Sequence, residues 1–192
     1  MRVATAFFVS MLVFVPPLAR ADQLPPAKPP ASSAQQLDRL FAELAKSTSA
    51  EEAQSLADRI ESIFRQSGSA TVELLMARGQ SALQAGDTAT ARKMIESVTK
   101  LAPDYAEGWH IQAQLQAASG DDAGALLSLQ KSVALNPRSF SALAGLAEML
   151  GDYGDKKGAL ALYRKVLALN PMDERAIRAV RRLARDVEGE KI

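Results

Sequence analysis

The sequence predicts an all-α solenoid of stacked helical hairpins, and three observations predict it. The first is a repeat of 34 residues without insertions across residues 72–173. Gly86-Asp87, Gly120-Asp121 and Gly154-Asp155 fall in register, as do Ala91, Ala125 and Ala159, Leu101, Leu135 and Leu169, and Pro103, Pro137 and Pro171. A fixed period of this size marks an array in which each unit buries its apolar face against the next. The second is composition: 47% of residues are apolar but only 5% aromatic, with alanine and leucine dominant. That suits close-packed helices better than a β sandwich. The third is periodicity, seen where Leu37, Leu40, Phe41 and Leu44 follow the i, i+3, i+4, i+7 spacing of a helix with one buried face.

The chain opens with a candidate address. Arg2 is followed by an apolar run over residues 3–15, then Pro16-Pro17 and Ala19-Arg20-Ala21. This reads as a secretory signal peptide over residues 1–21, cleaved before Asp22. The run falls short of the roughly 20 residues that a bilayer-spanning helix needs. An uncleaved anchor or a buried helix is the alternative. No second apolar stretch follows, so the mature chain is expected to lack a transmembrane segment. Its formal charge of +1 becomes −1 without Arg2 and Arg20, which gives nucleic acid no global attraction. There are no cysteines, which excludes disulfides, thiolate metal sites and a cysteine nucleophile.

Residues 22–34 form a proline-rich linker carrying Pro25, Pro26, Pro29 and Pro30. Paired prolines favour extended backbone, suited to a tether or to a docking strand for a proline-reading domain. Residues 35–71 then predict an antiparallel helix pair. Ser49 and Glu52 make a capping box opening its second helix, whose apolar side holds Ala53, Leu56, Ala57, Ile60, Ile63 and Phe64. One period back from the first clear repeat stand Glu52 and Ser69, where glycine and proline are expected. The pair is therefore read as a degenerate terminal repeat.

Each of the three clear units predicts a hairpin. In the middle one, residues 107–119 make the first helix, Gly120-Asp121 turns, and residues 122–135 make the second. Glycine takes the left-handed conformation that ends a helix, aspartate caps the next, and Asn136-Pro137 closes it. Ala91, Ala125 and Ala159 are small where two helices cross. Residues 174–192 continue the register as a closing helix and tail. Ala176, Ile177, Val180, Leu183, Ala184 and Val187 form its apolar face.

Trp109, Ala113, Gly120, Ala125 and Pro137 in one unit resemble the tetratricopeptide repeat. Leu143, Leu146, Ala147, Gly154, Ala159, Tyr163 and Pro171 carry the pattern in the next, and Leu75, Gly79, Gly86, Ala91 and Pro103 in the first. Arg78, Gln112 and Gln116 depart from it, standing where the family places apolar residues, so looser packing is expected in the first two units. The whole chain resembles exported bacterial proteins built of a signal peptide and a few such repeats, which implies the periplasm. The resemblance also implies that the first helix of each hairpin lines a groove for an extended peptide or a partner's helix. Carried over by register, the lining is Glu73, Met76, Gln80 and Leu83, then Glu107, His110, Gln114 and Ala117, then Ser141, Ala144, Glu148 and Gly151. Family members that clamp a terminal carboxylate use lysine, arginine and asparagine there. These positions hold none, so that clamp is not expected. In the closing helix, Arg175, Arg178, Arg182 and Arg185 continue the lining as a basic stripe. It reads either as a solvated face or as an anion site.

Catalytic chemistry is scarce. His110 is the sole histidine, with no second one for a metal site, and by register it belongs on the exposed inner face of its helix. Gly151, Gly154 and Gly158 follow a helix and lack the strand and lysine of a phosphate loop. Asp121, Asp122, Asp152 and Asp155 lie at helix-joining turns, where capping accounts for them. The expected function is a non-enzymatic scaffold, without cofactor or metal, that binds a protein or peptide, with a role in envelope assembly or maintenance. The alternative is a structural homo-oligomer without a peptide ligand.

Overall fold

Apolar stripes at helical spacing, punctuated by caps, turn the chain into a run of α-helices. The computed structural model describes residues 33–189; the leader and residues 22–32 of the linker lie outside them. The helices are α1 (Ser33–Leu44), α2 (Ala50–Phe64), α3 (Ala70–Gln84), α4 (Thr88–Leu101), α5 (Ala106–Ala118), α6 (Asp122–Leu135), α7 (Phe140–Asp152), α8 (Lys156–Leu169) and α9 (Glu174–Glu188). The repeated Gly-Asp pairs make the turns in two steps. Gly86, Gly120 and Gly154 take φ of +77°, +79° and +87°, which ends one helix. Asp87, Asp121 and Asp155 then accept from the amides of Thr90, Gly124 and Gly158 at 3.0, 3.0 and 2.8 Å. At α2 the Ser49 hydroxyl accepts from the Glu52 amide at 3.2 Å. The Glu52 carboxylate accepts from Thr48, one residue earlier than a standard capping box.

Helices α3–α4, α5–α6 and α7–α8 form three hairpins, and each stacks on the next element through α4 on α5, α6 on α7 and α8 on α9. The crossings within hairpins close over Ala91, Ala125 and Ala159, all fully buried. Replacing Ala125 by leucine should lower stability by about 1–3 kcal/mol through overpacking. Ala123→Leu, at an exposed site one helical step away, should stay within about 0.5 kcal/mol. Denaturant midpoints compare the two, and equal midpoints would overturn the assigned register. A close approach that the repeat pattern did not signal occurs at Gly108, where a Cβ would lie 2.8 Å from Val98 Cγ1 of α4.

The helix pair over residues 35–71 forms, with α1 starting at Ser33, but its place in the array needs correcting. It does not stack on α3 as α4 stacks on α5. It folds back onto the first helices of the later hairpins. Phe41 of α1 meets Phe140 of α7 edge to face, with ring centroids 6.5 Å apart. Arg138 lies 4.0 Å over the Phe41 ring and pairs with Asp38 at 2.7 Å. At the other end of the pair, the Tyr105 hydroxyl at the start of α5 donates to the Arg65 carbonyl at 2.7 Å.

The same finding explains Arg78. Position 74 recurs as Gly108, Ala142 and Ala176, all small and buried against the preceding unit. Ala142 and Ala176 are 0% exposed, whereas Leu74 is 52% exposed because no unit precedes α3. Arg78 and Ser81 on the same outer face meet solvent. Gln112 and Gln116 are not loose either. Thr99 of α4 donates to Gln112 at 2.8 Å, and Ser128 of α6 donates to Gln116 at 2.6 Å. Each bond satisfies a polar group between helices that would otherwise cost free energy there. The array ends at α9, with Ala176, Ala179 and Leu183 buried and Ile177, Val180, Ala184 and Val187 half-buried.

Candidate partner-binding groove

The first helices α3, α5, α7 and α9 bring one face of each unit side by side, and α2 lies across three of them. Ala57 and Glu61 of α2, His110 and Gln114 of α5, Ser141 and Ala144 of α7, and Arg175 of α9 border a single cleft of 420 Å³. Of the residues assigned by register, His110, Gln114, Ser141, Ala144 and Arg175 come together here, but much of this face is covered by the chain itself. His110 is the clearest correction. It lies on the inner face as expected, yet it is buried at 8% exposure rather than open. Glu107, beside it, is equally buried. Helix α2 covers these residues and Ala144, while Gln114, Ala117 and Glu148 remain exposed.

Under α2 the residues form a polar cluster. The Glu107 carboxylate lies 3.3 Å from His110 Nδ1, and Gln114 Nε2 lies 3.2 Å from His110 Nε2. Glu61 points into the same place. Burial raises its pKa above the ordinary 4.5, hydrogen bonding by Ser141 lowers it, and the Glu107 charge raises it again. His110 and Arg65 lower it, and the net shift is upward. One Glu61 oxygen, Oε1, is buried without a hydrogen-bond partner. A carboxylate in that position costs free energy when ionised.

The sign of the pH effect follows. A raised folded-state pKa gives stability that is present below the ordinary glutamate value and is lost as pH rises through the folded value. Glu61→Gln should therefore stabilise the docked α2 at neutral pH, and the gain should vanish below about pH 4.5. Amide exchange of α2 as a function of pH measures it; a gain that persists in acid would contradict the assignment.

The remaining predicted residues divide. On α3, Met76 packs against the core of Ala91, Ile95 and Leu115, while Glu73, Gln80 and Leu83 stay exposed. Gln114, Glu148 and Arg175 border a second cleft of 280 Å³, together with His110. Gly151, Arg175, Arg178 and Arg182 flank a third of 550 Å³, which Arg185 does not border. The stripe is less basic than its sequence suggests. Arg175 pairs with Glu148 and Arg178 with Glu174, whereas Arg182 and Arg185 make no ion pair among the described residues. Among those residues there is no cluster of three or more histidine, aspartate or glutamate side chains able to hold a metal. None of their helices is long and apolar enough to cross a membrane.

Sequence reasoning missed Arg65, Asp38 and Arg138, which hold the helix pair in place, and Glu61, which the pair turns into the cleft. The available signal was the polar residue Arg78 at a position that should be covered, together with the missing glycine and proline ahead of α3.

No family model matches the sequence. The chain is similar to a TPR repeat-containing protein of Rhizobium etli, with 32% identity over 115 residues, 60% of this chain and 56% of that one. It thus spans little more than half the length of this curated relative. Among solved structures it resembles the first TPR domain of Spaghetti bound to an HSP90 peptide, at a TM-score of 0.57 and 18% identity. That match covers 62% of this chain and 94% of the other. It also resembles MamA, at a TM-score of 0.56 and 16% identity, over 82% of this chain and 84% of the other. Taken with the 34-residue register and the three stacked hairpins, these likenesses show that the chain has the fold of tetratricopeptide repeat domains and resembles a bacterial TPR repeat-containing protein.

Proposed function

We propose that this protein is a non-enzymatic scaffold that holds a helix or extended segment of a partner protein in the groove over α5, α7 and α9. The observation that carries this is α2 itself. A 15-residue amphipathic helix seated across three units is a worked example of what the groove accepts. The likeness to a peptide-bound TPR domain supports the same reading. A carboxylate clamp is not part of it, because the inner positions of α3, α5 and α7 hold no lysine or arginine. The leader motif supports export, with the mature chain starting at Asp22 in the periplasm and a role in envelope assembly or maintenance.

The competing reading is a structural homo-oligomer without a peptide ligand. Light scattering separates the two, and the scaffold reading expects the mass of a monomer; one mode of association, stacking through α3, would bury the exposed Arg78. To test the scaffold reading, a photo-crosslinking residue is placed at Gln114 or, on the outer surface, at Lys157. Envelope extracts should give a discrete partner adduct from Gln114 only, and N-terminal sequencing of the periplasmic protein should begin at Asp22. Adducts of equal yield from both positions would overturn the groove assignment.

A further inference from the structure

We infer that the α1–α2 hairpin is a deliberately mismatched occupant of the groove, and that the partner it yields to is an amphipathic helix carrying a cation where α2 carries Glu61. The inference rests on the groove reading above and adds the chemistry of the partner. Its basis is the contrast between the two halves of the docked interface. The apolar half fits: Ala53, Leu56, Ala57 and Ile60 are buried, and Phe41 is fixed by Phe140 and Arg138. The polar half does not. Glu61 enters a site where the Glu107 carboxylate opposes its charge, and one of its own oxygens is buried with no hydrogen-bond partner.

The groups acting on Glu61 are Glu107 and His110 from α5, the neutral Ser141 from α7, and Arg65 from α2 itself. Asp58 of α2, Asp173 and Arg175 border the same cleft, and Arg175 is paired with Glu148. Glu107 already lies against His110 Nδ1, and Gln114 against His110 Nε2. A lysine at the Glu61 position would exchange repulsion from Glu107 for an ion pair, with the Ser141 hydroxyl as a further acceptor. Such a helix keeps the apolar spacing of α2 and corrects its one mismatch. A buried carboxylate with one oxygen left without a partner is costly when ionised. Here it lowers the threshold that an incoming helix must exceed to displace α2. The connection is short, running from Arg65 at the end of α2 to Ser69 at the start of α3. The displaced hairpin therefore stays tethered beside the groove and can return when the partner leaves.

The test uses the full chain and two labelled peptides of residues 49–66, one of natural sequence and one carrying Glu61→Lys. Fluorescence anisotropy should show the lysine peptide binding about tenfold tighter than the natural one, the range expected for a desolvated charge pair. The same substitution made within the full chain should slow exchange of α2 amides and weaken binding of the lysine peptide by about tenfold, since the hairpin then competes better. Equal affinity of the two peptides, or unchanged α2 exchange in the substituted chain, would overturn the charge inference while leaving the groove reading standing. If neither peptide binds the full chain or its Phe41→Ala variant, the groove reading itself fails, and this inference with it.

Discussion

Leu143→Ala should lower the stability of the repeat array by about 2–5 kcal/mol, the usual cost of a cavity left by a large buried side chain. Leu143 is among the largest fully buried side chains, in the cluster where α7, α8 and α9 meet the helix pair. Because stability in stacked repeats passes mainly between neighbours, the loss should spread to α9 and to α5–α6 before it reaches α3–α4. Chemical denaturation followed by amide exchange measures both size and spread. Equal loss of protection in all helices would mean that the array melts as one unit.

The second large effect is expected at Phe41→Ala, at about 3–5 kcal/mol. Its ring packs against Phe64 at 6.3 Å and Phe140 at 6.5 Å and lies beneath Arg138. Here the loss should fall on α1 and α2, with the hairpins of α3–α8 intact. The array has its own cores around Ala113, Ala125 and Leu129, and around Ala91, Ile95 and Leu115. Unfolding should therefore separate into two transitions, the first reporting release of the hairpin, visible as loss of α2 amide protection at low denaturant. A single transition displaced as a whole would show that hairpin and array are one cooperative unit.

These expectations rest on features of unequal legibility. Gly86, Gly120 and Gly154 with their aspartates announce the turns because only a local conformation and a local cap are involved. The inner faces of α5 and α7 follow by counting, since side-chain direction in a helix repeats with the helix. What covers those faces does not follow. The docking of α1–α2 joins residues such as Asp38 and Arg138 that are distant in the chain, and no local pattern encodes that pairing. The misplacement of His110 in the open has the same cause. Its register was right, but its exposure depended on an element docked from elsewhere. The ion pairs that neutralise part of the α9 stripe sit between these cases. Glu174 lies four residues before Arg178 and could be counted, whereas Glu148 reaches Arg175 from another helix.

The outer face of α3 also determines where this molecule can be lengthened. A copy of the middle unit inserted between α6 and α7 would meet, on each side, the small residues and apolar contacts that a neighbouring unit already offers at Gly108 and Ala142. A unit added ahead of α3 would instead press against Leu74 where a small residue is required, and would bury Arg78. Growth from within is compatible with the surfaces between units, and growth at the front is blocked by side chains already in place. Internal duplication would still separate α5 from α7, so the helix pair, which holds Tyr105 on one side and Phe140 on the other, fixes the number of units it can span.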